Sequence, residues 1–242
     1  MGKIYVVGIG PGNIGMMTAQ ARDVLGRCDV IIGYKTYIEL IRDYFPEKEY
    51  YSNGMRGELK RCEVCLQYAK EGRDVALICS GDAGVYGMAS PMLEAAQRDG
   101  FDNVEIIPGV SAAMSGAALL GAPLSHDFCL ISLSDLLTPK ELIAKRLLAA
   151  AQGDFCISIY NPVSKSRPDH LRWACRILLE VLPEDTACGY VRNIGRSGTE
   201  IKTCTLKELP EEPLDMFSTV FIGNSKTRIS GGRMITPRGY QV

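Results

Sequence analysis

The chain has 242 residues, more than one average domain and fewer than two comfortable ones, so it forms one large α/β domain or two compact halves. Hydrophobic residues at 46% against 23% charged exclude a disordered chain. With 27 basic and 28 acidic residues the net charge is −1, which argues against a nucleic-acid-coating protein.

Short β-branched runs alternate with longer helical patterns. Residues 3–8 read as a strand, 16–26 as a helix and 29–32 as a second strand. Helices are expected over 34–44 and 58–71, the second closed by Gly72. Residues 74–79 are a continuous apolar strand of the kind buried on both faces. A helix over 88–98, a strand over 103–107 and a small-residue helix over 111–120 complete a β-α-β-α order, which means a mostly parallel sheet with helices on its faces. Gly121-Ala122-Pro123-Leu124 then breaks the pattern and suggests a domain joint, giving domains 1–122 and 123–242. The second half reads as strand 128–133, helix 140–152, strand 155–160, helix 168–182, and strands 186–191 and 200–205. A last strand is expected at 219–222, ahead of a tail rich in Gly, Ser and Arg.

No stretch approaches the ~18–20 uninterrupted apolar residues of a membrane span, and the strand pattern from Lys3 leaves no room for a signal peptide, so no membrane partner is expected. The nine cysteines are scattered, several inside apolar runs such as Val75-Ala76-Leu77-Ile78-Cys79, which suggests free core thiols in a reducing cytoplasm. Cys62 and Cys65 form the only close pair, and with no second pair or nearby histidines no metal site is expected.

Gly8-Ile9-Gly10-Pro11-Gly12 follows the first strand but has Asn13 where a dinucleotide fingerprint needs its last glycine, and Pro11 removes a backbone N–H. Ser80-Gly81-Asp82-Ala83-Gly84-Val85-Tyr86-Gly87 follows the most buried strand, where open α/β sheets place ligands. Its glycines allow close approach, Asp82 can accept from hydroxyls or an ammonium, and Tyr86 offers a stacking face; a turn with a capping Asp is the plainer reading. Pro108-Gly109-Val110-Ser111 is a third such turn, and three at one end of a sheet suggest a cleft. Basic residues follow Tyr160-Asn161-Pro162 (Lys165, Arg167), recur at Arg192 and Arg196, and continue in the tail, as a polyanion-binding rim or a solvated face. The only histidines are His126, near the joint, and His170, expected to be exposed; no hydrolase triad or metal cluster emerges.

The three glycine turns together resemble the signature segments of the tetrapyrrole methylases, class III S-adenosylmethionine-dependent methyltransferases. Longer strings, among them Gly33-Tyr34-Lys35-Thr36-Tyr37, Gly54-Met55-Arg56 and Gly121-Ala122-Pro123-Leu124-Ser125-His126-Asp127-Phe128, are similar to the branch that methylates carbon 17 of the macrocycle and contracts its ring in cobalamin biosynthesis. The similarity runs from Lys3 to about Thr227. It implies a homodimer of two α/β domains, with a mostly parallel N-terminal sheet, a mixed C-terminal sheet, flanking helices, and the active site in the cleft between domains. The cofactor it implies is S-adenosylmethionine, held by Gly81, Asp82, Val85, Tyr86, Ser111 and Ala112, with Tyr160, Asn161 and Ala187 on the adenine side. Gly10, Pro11 and Gly12 would face the substrate, a precorrin or cobalt-precorrin, and Lys35, Arg56, Lys165, Arg167 and Arg192 would meet its carboxylates. Ring contraction calls for an acid or base, for which His126 and Asp127 are the candidates. The sequence departs from the family at Ala83, where a proline is frequent, and at Lys140, where an aromatic residue is frequent; no cysteine-rich extension suggests an iron–sulfur cluster. Another tetrapyrrole methylase, such as the precorrin-4 enzyme, a nucleotide-binding dehydrogenase and a non-catalytic tetrapyrrole carrier stay open as alternatives.

Overall fold

The computed structural model describes residues 1–241. Its chain divides into two units, Met1–Ala112 and Ala113 onward.

In the first unit β1 (Ile4–Gly8) leads through a 3-10 turn (Ile14–Met16) to α1 (Ala19–Arg27), β2 (Val30–Tyr34) and α2 (Lys35–Ile41). A second 3-10 turn (Arg42–Tyr44), β3 (Glu49–Asn53), α3 (Glu58–Lys70), β4 (Val75–Cys79), α4 (Ala89–Asp99) and β5 (Val104–Ile107) follow. The strands form one parallel sheet in the order β3-β2-β4-β1-β5. Its central strands β1 and β4 are buried at every position, as their unbroken apolar runs require. The two-residue side-chain period divides them between two cores. Ile4, Val6, Val75 and Leu77 pack on one face with α3 and α4, while Tyr5, Val7, Ala76 and Ile78 pack on the other with α1 and α2. Thr18 caps α1 by accepting from Ala21 N at 3.1 Å, and α4 stops at Gly100 in the left-handed region, φ 66°. Gly72, just past the end of α3, has φ 91°, as its expected capping role needs. The expected helix over 34–44 is α2 plus the second 3-10 turn, and β3 was not expected at all.

The second unit takes all but the first residue of α5 (Ala112–Leu120), then β6 (Gly121–Ala122), β7 (Phe128–Ser132), α6 (Lys140–Gln152), β8 (Cys156–Tyr160) and α7 (His170–Leu178). It continues through β9 (Ala187–Arg192), β10 (Glu200–Thr205), a 3-10 turn (Leu209–Glu211), β11 (Ser218–Ile222), β12 (Arg228–Ser230) and β13 (Arg233–Ile235). The main sheet, β10-β9-β11-β8-β7, is mixed: β7 and β8 run parallel and the remaining pairs antiparallel. β11 is therefore not the last strand. The tail folds back as the β12–β13 hairpin through Gly231 and Gly232, both at positive φ, and β13 pairs with β6. Buried Thr236 pins this return by donating to Pro123 O at 2.7 Å. Among the described residues no helix is long and apolar enough to cross a membrane.

Candidate active site

The turns after β4, β1 and β5 leave the same edge of the first sheet from three adjacent parallel strands. Their backbones touch. Gly10 N donates to Gly81 O at 3.0 Å and Gly81 N returns a bond to Gly10 O at 2.7 Å. A Cβ on Gly109 would lie 2.2 Å from Gly81 O, and one on Gly8 would lie 2.7 Å from Gly109 N, so only glycine lets the turns meet. Asp82 ties them together. Its Oδ1 accepts from Gly84 N at 2.8 Å and Val85 N at 3.1 Å within its own turn, and its Oδ2 accepts from Gly109 N at 2.8 Å in the next. Tyr86, at φ 54°, stays exposed on this turn, while Ser111 is buried. Asn13 caps the 3-10 turn by accepting from Met16 N, and α1 starts only at Ala19. The 3-10 turn thus separates the first glycine turn from α1 along the chain, unlike the direct strand–turn–helix entry of a dinucleotide fingerprint.

The C-terminal ends of β2 and β3 share that edge, so Lys35 and Arg56 lie along it, both exposed. Sequence reasoning missed Arg61. Buried on α3, it bonds Asn53 Oδ1 and Gly54 O and pairs with Glu58 at 3.3 Å, holding the segment that carries Arg56.

In the second unit the register sorts the expected residues onto two opposite edges. β9 runs parallel to β8 because both are antiparallel to β11. Ser132, Tyr160 and Arg192 end their strands at one edge. There Tyr160 Oη accepts from Ala113 N at 2.9 Å, and Asn161, at φ 54°, donates to Ser132 Oγ at 2.9 Å. Arg192 is engaged with Glu200 and with Pro213 O. Ala187, His126 and Asp127 belong to the other edge, about 13 Å of strand away at ~3.3 Å per residue. Asp127 O accepts there from Cys156 N, and the side chains of His126 and Asp127 are 43% and 83% exposed. The pair is in contact, with His126 Nδ1 accepting from Asp127 N at 2.9 Å, but it does not share an edge with Tyr160 and Asn161.

The profile of the tetrapyrrole (corrin/porphyrin) methylases matches residues 3–210, most of the chain. The chain belongs to this family. It is 46% identical to a Salmonella typhimurium protein named probable cobalt-factor III C(17)-methyltransferase, over 98% of this chain and 99% of that one. It is 45% identical to a Priestia megaterium cobalt-factor III methyltransferase, of which it spans 45%, and 38% identical to a Sinorhizobium precorrin-3B C(17)-methyltransferase, covering 94% of this chain and 91% of that one. The crystal structure of the methyltransferase CobJ superposes with a TM-score of 0.91 at 37% identity, over 98% of this chain and 100% of that one. The expected α/β fold with a parallel first sheet and a mixed second one is the fold of this tetrapyrrole methylase.

One expectation about its polar residues needs correction. His170 is not exposed: its side chain is 12% accessible, with Nε2 lying 3.0 Å from Asp135 Oδ2. Arg167 approaches the same carboxyl at 3.7 Å and donates from Nε to Ser164 Oγ. His170, with a smaller contribution from Arg167, holds Asp135 below the usual carboxylate range. Asp135 had no sequence signal, because its partners come from another loop and helix. The cysteines are all free, and Cys62 and Cys65 pack in the core face of α3 with Val64 and Leu66. Burial pushes the Cys62 thiol up to about 11 and Cys79 to about 12. Both are inert core thiols.

Proposed function

We propose that this methylase transfers a methyl group to carbon 17 of a corrin-precursor macrocycle, cobalt-factor III or precorrin-3B, and contracts its ring in cobalamin biosynthesis. The observation that carries this reading is the end-to-end alignment at 46% identity with the Salmonella relative. The lower identity, 38%, to the precorrin-3B relative favours the cobalt-bearing substrate. S-adenosylmethionine supplies the methyl group when bound.

The residues of the first unit fit such a cofactor. Asp82 spends three of its roughly four acceptor positions on backbone N–H groups. The fourth is left for a hydroxyl or ammonium, beside exposed Gly84 and the exposed ring of Tyr86. Gly81, Asp82, Val85, Tyr86, Ser111 and Ala112 form the proposed cofactor contacts, with Tyr160 and Asn161 from the second unit. Ala187, at the other strand edge, fits this set least. Gly10, Pro11 and Gly12 are proposed to meet the macrocycle.

Methyl displacement from a sulfonium needs little acid–base help, so the protein's work is holding reactants in attack geometry and excluding water. Interlocked glycine turns with a tied carboxylate suit that task because they cannot relax independently. Contraction requires proton transfer, assigned in this reading to His126 and Asp127. The reading includes a homodimer in the cytoplasm, the latter supported by the free thiols.

Incubation with methyl-labelled S-adenosylmethionine and the cobalt-bearing macrocycle, followed by mass and NMR analysis, should put the label on carbon 17 of a contracted ring. Label on another carbon would move the protein to a sister activity. His126→Ala should keep methylation and lose contraction; a fully contracted product would remove His126 from the mechanism.

A further inference from the structure

The second unit carries two exposed leucines next to a cluster of under-satisfied donors. Leu133 N donates to Tyr160 O, continuing the β7–β8 pairing, and the chain then leaves the sheet at the edge that holds Tyr160 and Asn161. Leu136 is 62% exposed and Leu137 98% exposed on this loop. Two consecutive leucines held so far out of the core have no packing role within the unit. Directly before them Asp135 faces His170 Nε2 at 3.0 Å and Arg167 Nη1 at 3.7 Å. Both nitrogens are shielded from water, and neither is aligned to donate a hydrogen bond to any acceptor. Shielded donors are seldom left without an aligned acceptor, and Asp135 faces each of these nitrogens with a different oxygen but is well aligned with neither. Arg167 sits in a tight turn closed by reciprocal Ser164–Arg167 backbone bonds of 3.3 and 3.0 Å, so its position is set by the loop.

We propose that the loops following β7 and β8 hold the rim of the macrocycle, with Leu136 and Leu137 against its apolar face and Arg167 and His170 taking one of its carboxylates. A flat apolar ring edged with carboxylates complements both features at once, whereas a nucleotide or a simple anion would leave the leucines in water. Arg167 offers a forked donor that matches two carboxylate oxygens, and the incoming group supplies aligned acceptors beside those of Asp135. Asp135 is a positioning residue: it keeps the Arg167 and His170 side chains turned toward one point. The proposal rests on the tetrapyrrole reading above and adds where that substrate is gripped.

The test uses the full chain and two probes, uroporphyrin with free carboxylates and its neutral per-amide, followed by fluorescence quenching, with S-adenosylmethionine binding by calorimetry alongside. Arg167→Gln should weaken the free acid about tenfold, the worth of one charge-assisted contact, and leave the amide unchanged. The double variant Leu136→Ser with Leu137→Ser should weaken both probes. Neither should alter S-adenosylmethionine affinity. His170→Gln gives a second reading of the anion contact, expected to follow Arg167→Gln, should the latter lower Tm. Variants that bind both probes like the wild type would overturn the proposal and leave the methylase reading standing. A wild-type protein that binds S-adenosylmethionine but neither probe would overturn the substrate reading and this proposal with it.

Discussion

Asp82 illustrates how one side chain organises the first unit. It looks from sequence like a ligand-binding carboxylate, yet three of its bonds go to backbone N–H groups in two different turns. Asp82→Ala leaves those donors without partners at about 1–3 kcal/mol for the buried share. We therefore expect a lower Tm together with at least roughly tenfold weaker S-adenosylmethionine binding by calorimetry. Asp82→Asn keeps one acceptor oxygen and should fall between the two. Wild-type affinity in Asp82→Ala would separate the turns from the cofactor. The two histidines make the complementary point: His126 is half-exposed at a strand edge, while His170 is enclosed by Asp135.

At the scale of elements, the glycine turns are the strictest feature of the fold. Gly109→Ala would drive a Cβ to 2.2 Å from Gly81 O, where both partners are backbone and cannot swing away. A urea titration should show a loss of about 2 kcal/mol or more, in the range of forced overpacking. Gly26 is the contrast. It lies inside α1 with nothing within 4 Å of a built Cβ, so Gly26→Ala should gain about 0.5–1 kcal/mol in the same titration. Equal effects of the two would show that the turns are looser than their contacts imply. The elements that escaped sequence reading share a cause. β3 (EYYSN) is an edge strand with no fully buried residue, and β12 and β13 are three residues each, so none carries the apolar run that marks a central strand.

The whole molecule should be sensitive to alkali. Burial pushes Cys28, Cys79, Cys175 and Cys204 up to about 12. Below an unfolded thiol pKa of about 8.5 both states hold these protons and the buried thiols contribute fully. As pH rises from there toward 12 only the unfolded chain ionises, so folding stability falls by up to about 1.4 kcal/mol per pH unit for each thiol. The urea midpoint should be flat from pH 7 to 8 and drop steeply above about 9. A midpoint unchanged at pH 10 would mean that the thiols are not held from solvent. Under native conditions Cys129, the only cysteine not fully buried, should be first to react with a thiol reagent.

The amino-acid sequence by itself determined the α/β class, the central strands, most helices and the family. Unbroken apolar runs such as Val75-Ala76-Leu77-Ile78-Cys79 and glycines at strand ends are local signals, written within a few residues. Site residues were legible as types and less so as a constellation. Asp82, Gly81 and Gly109 were recognisable singly, but their mutual bonds arise because β4, β1 and β5 are neighbours in space and not in sequence. Only the tertiary structure set Tyr160 and Asn161 on one edge of the second sheet and His126, Asp127 and Ala187 on the other, because strand direction and register decide which end a residue occupies. It alone also joined Asp135 to Arg167 and His170, a contact between separate loops that no spacing along the chain records.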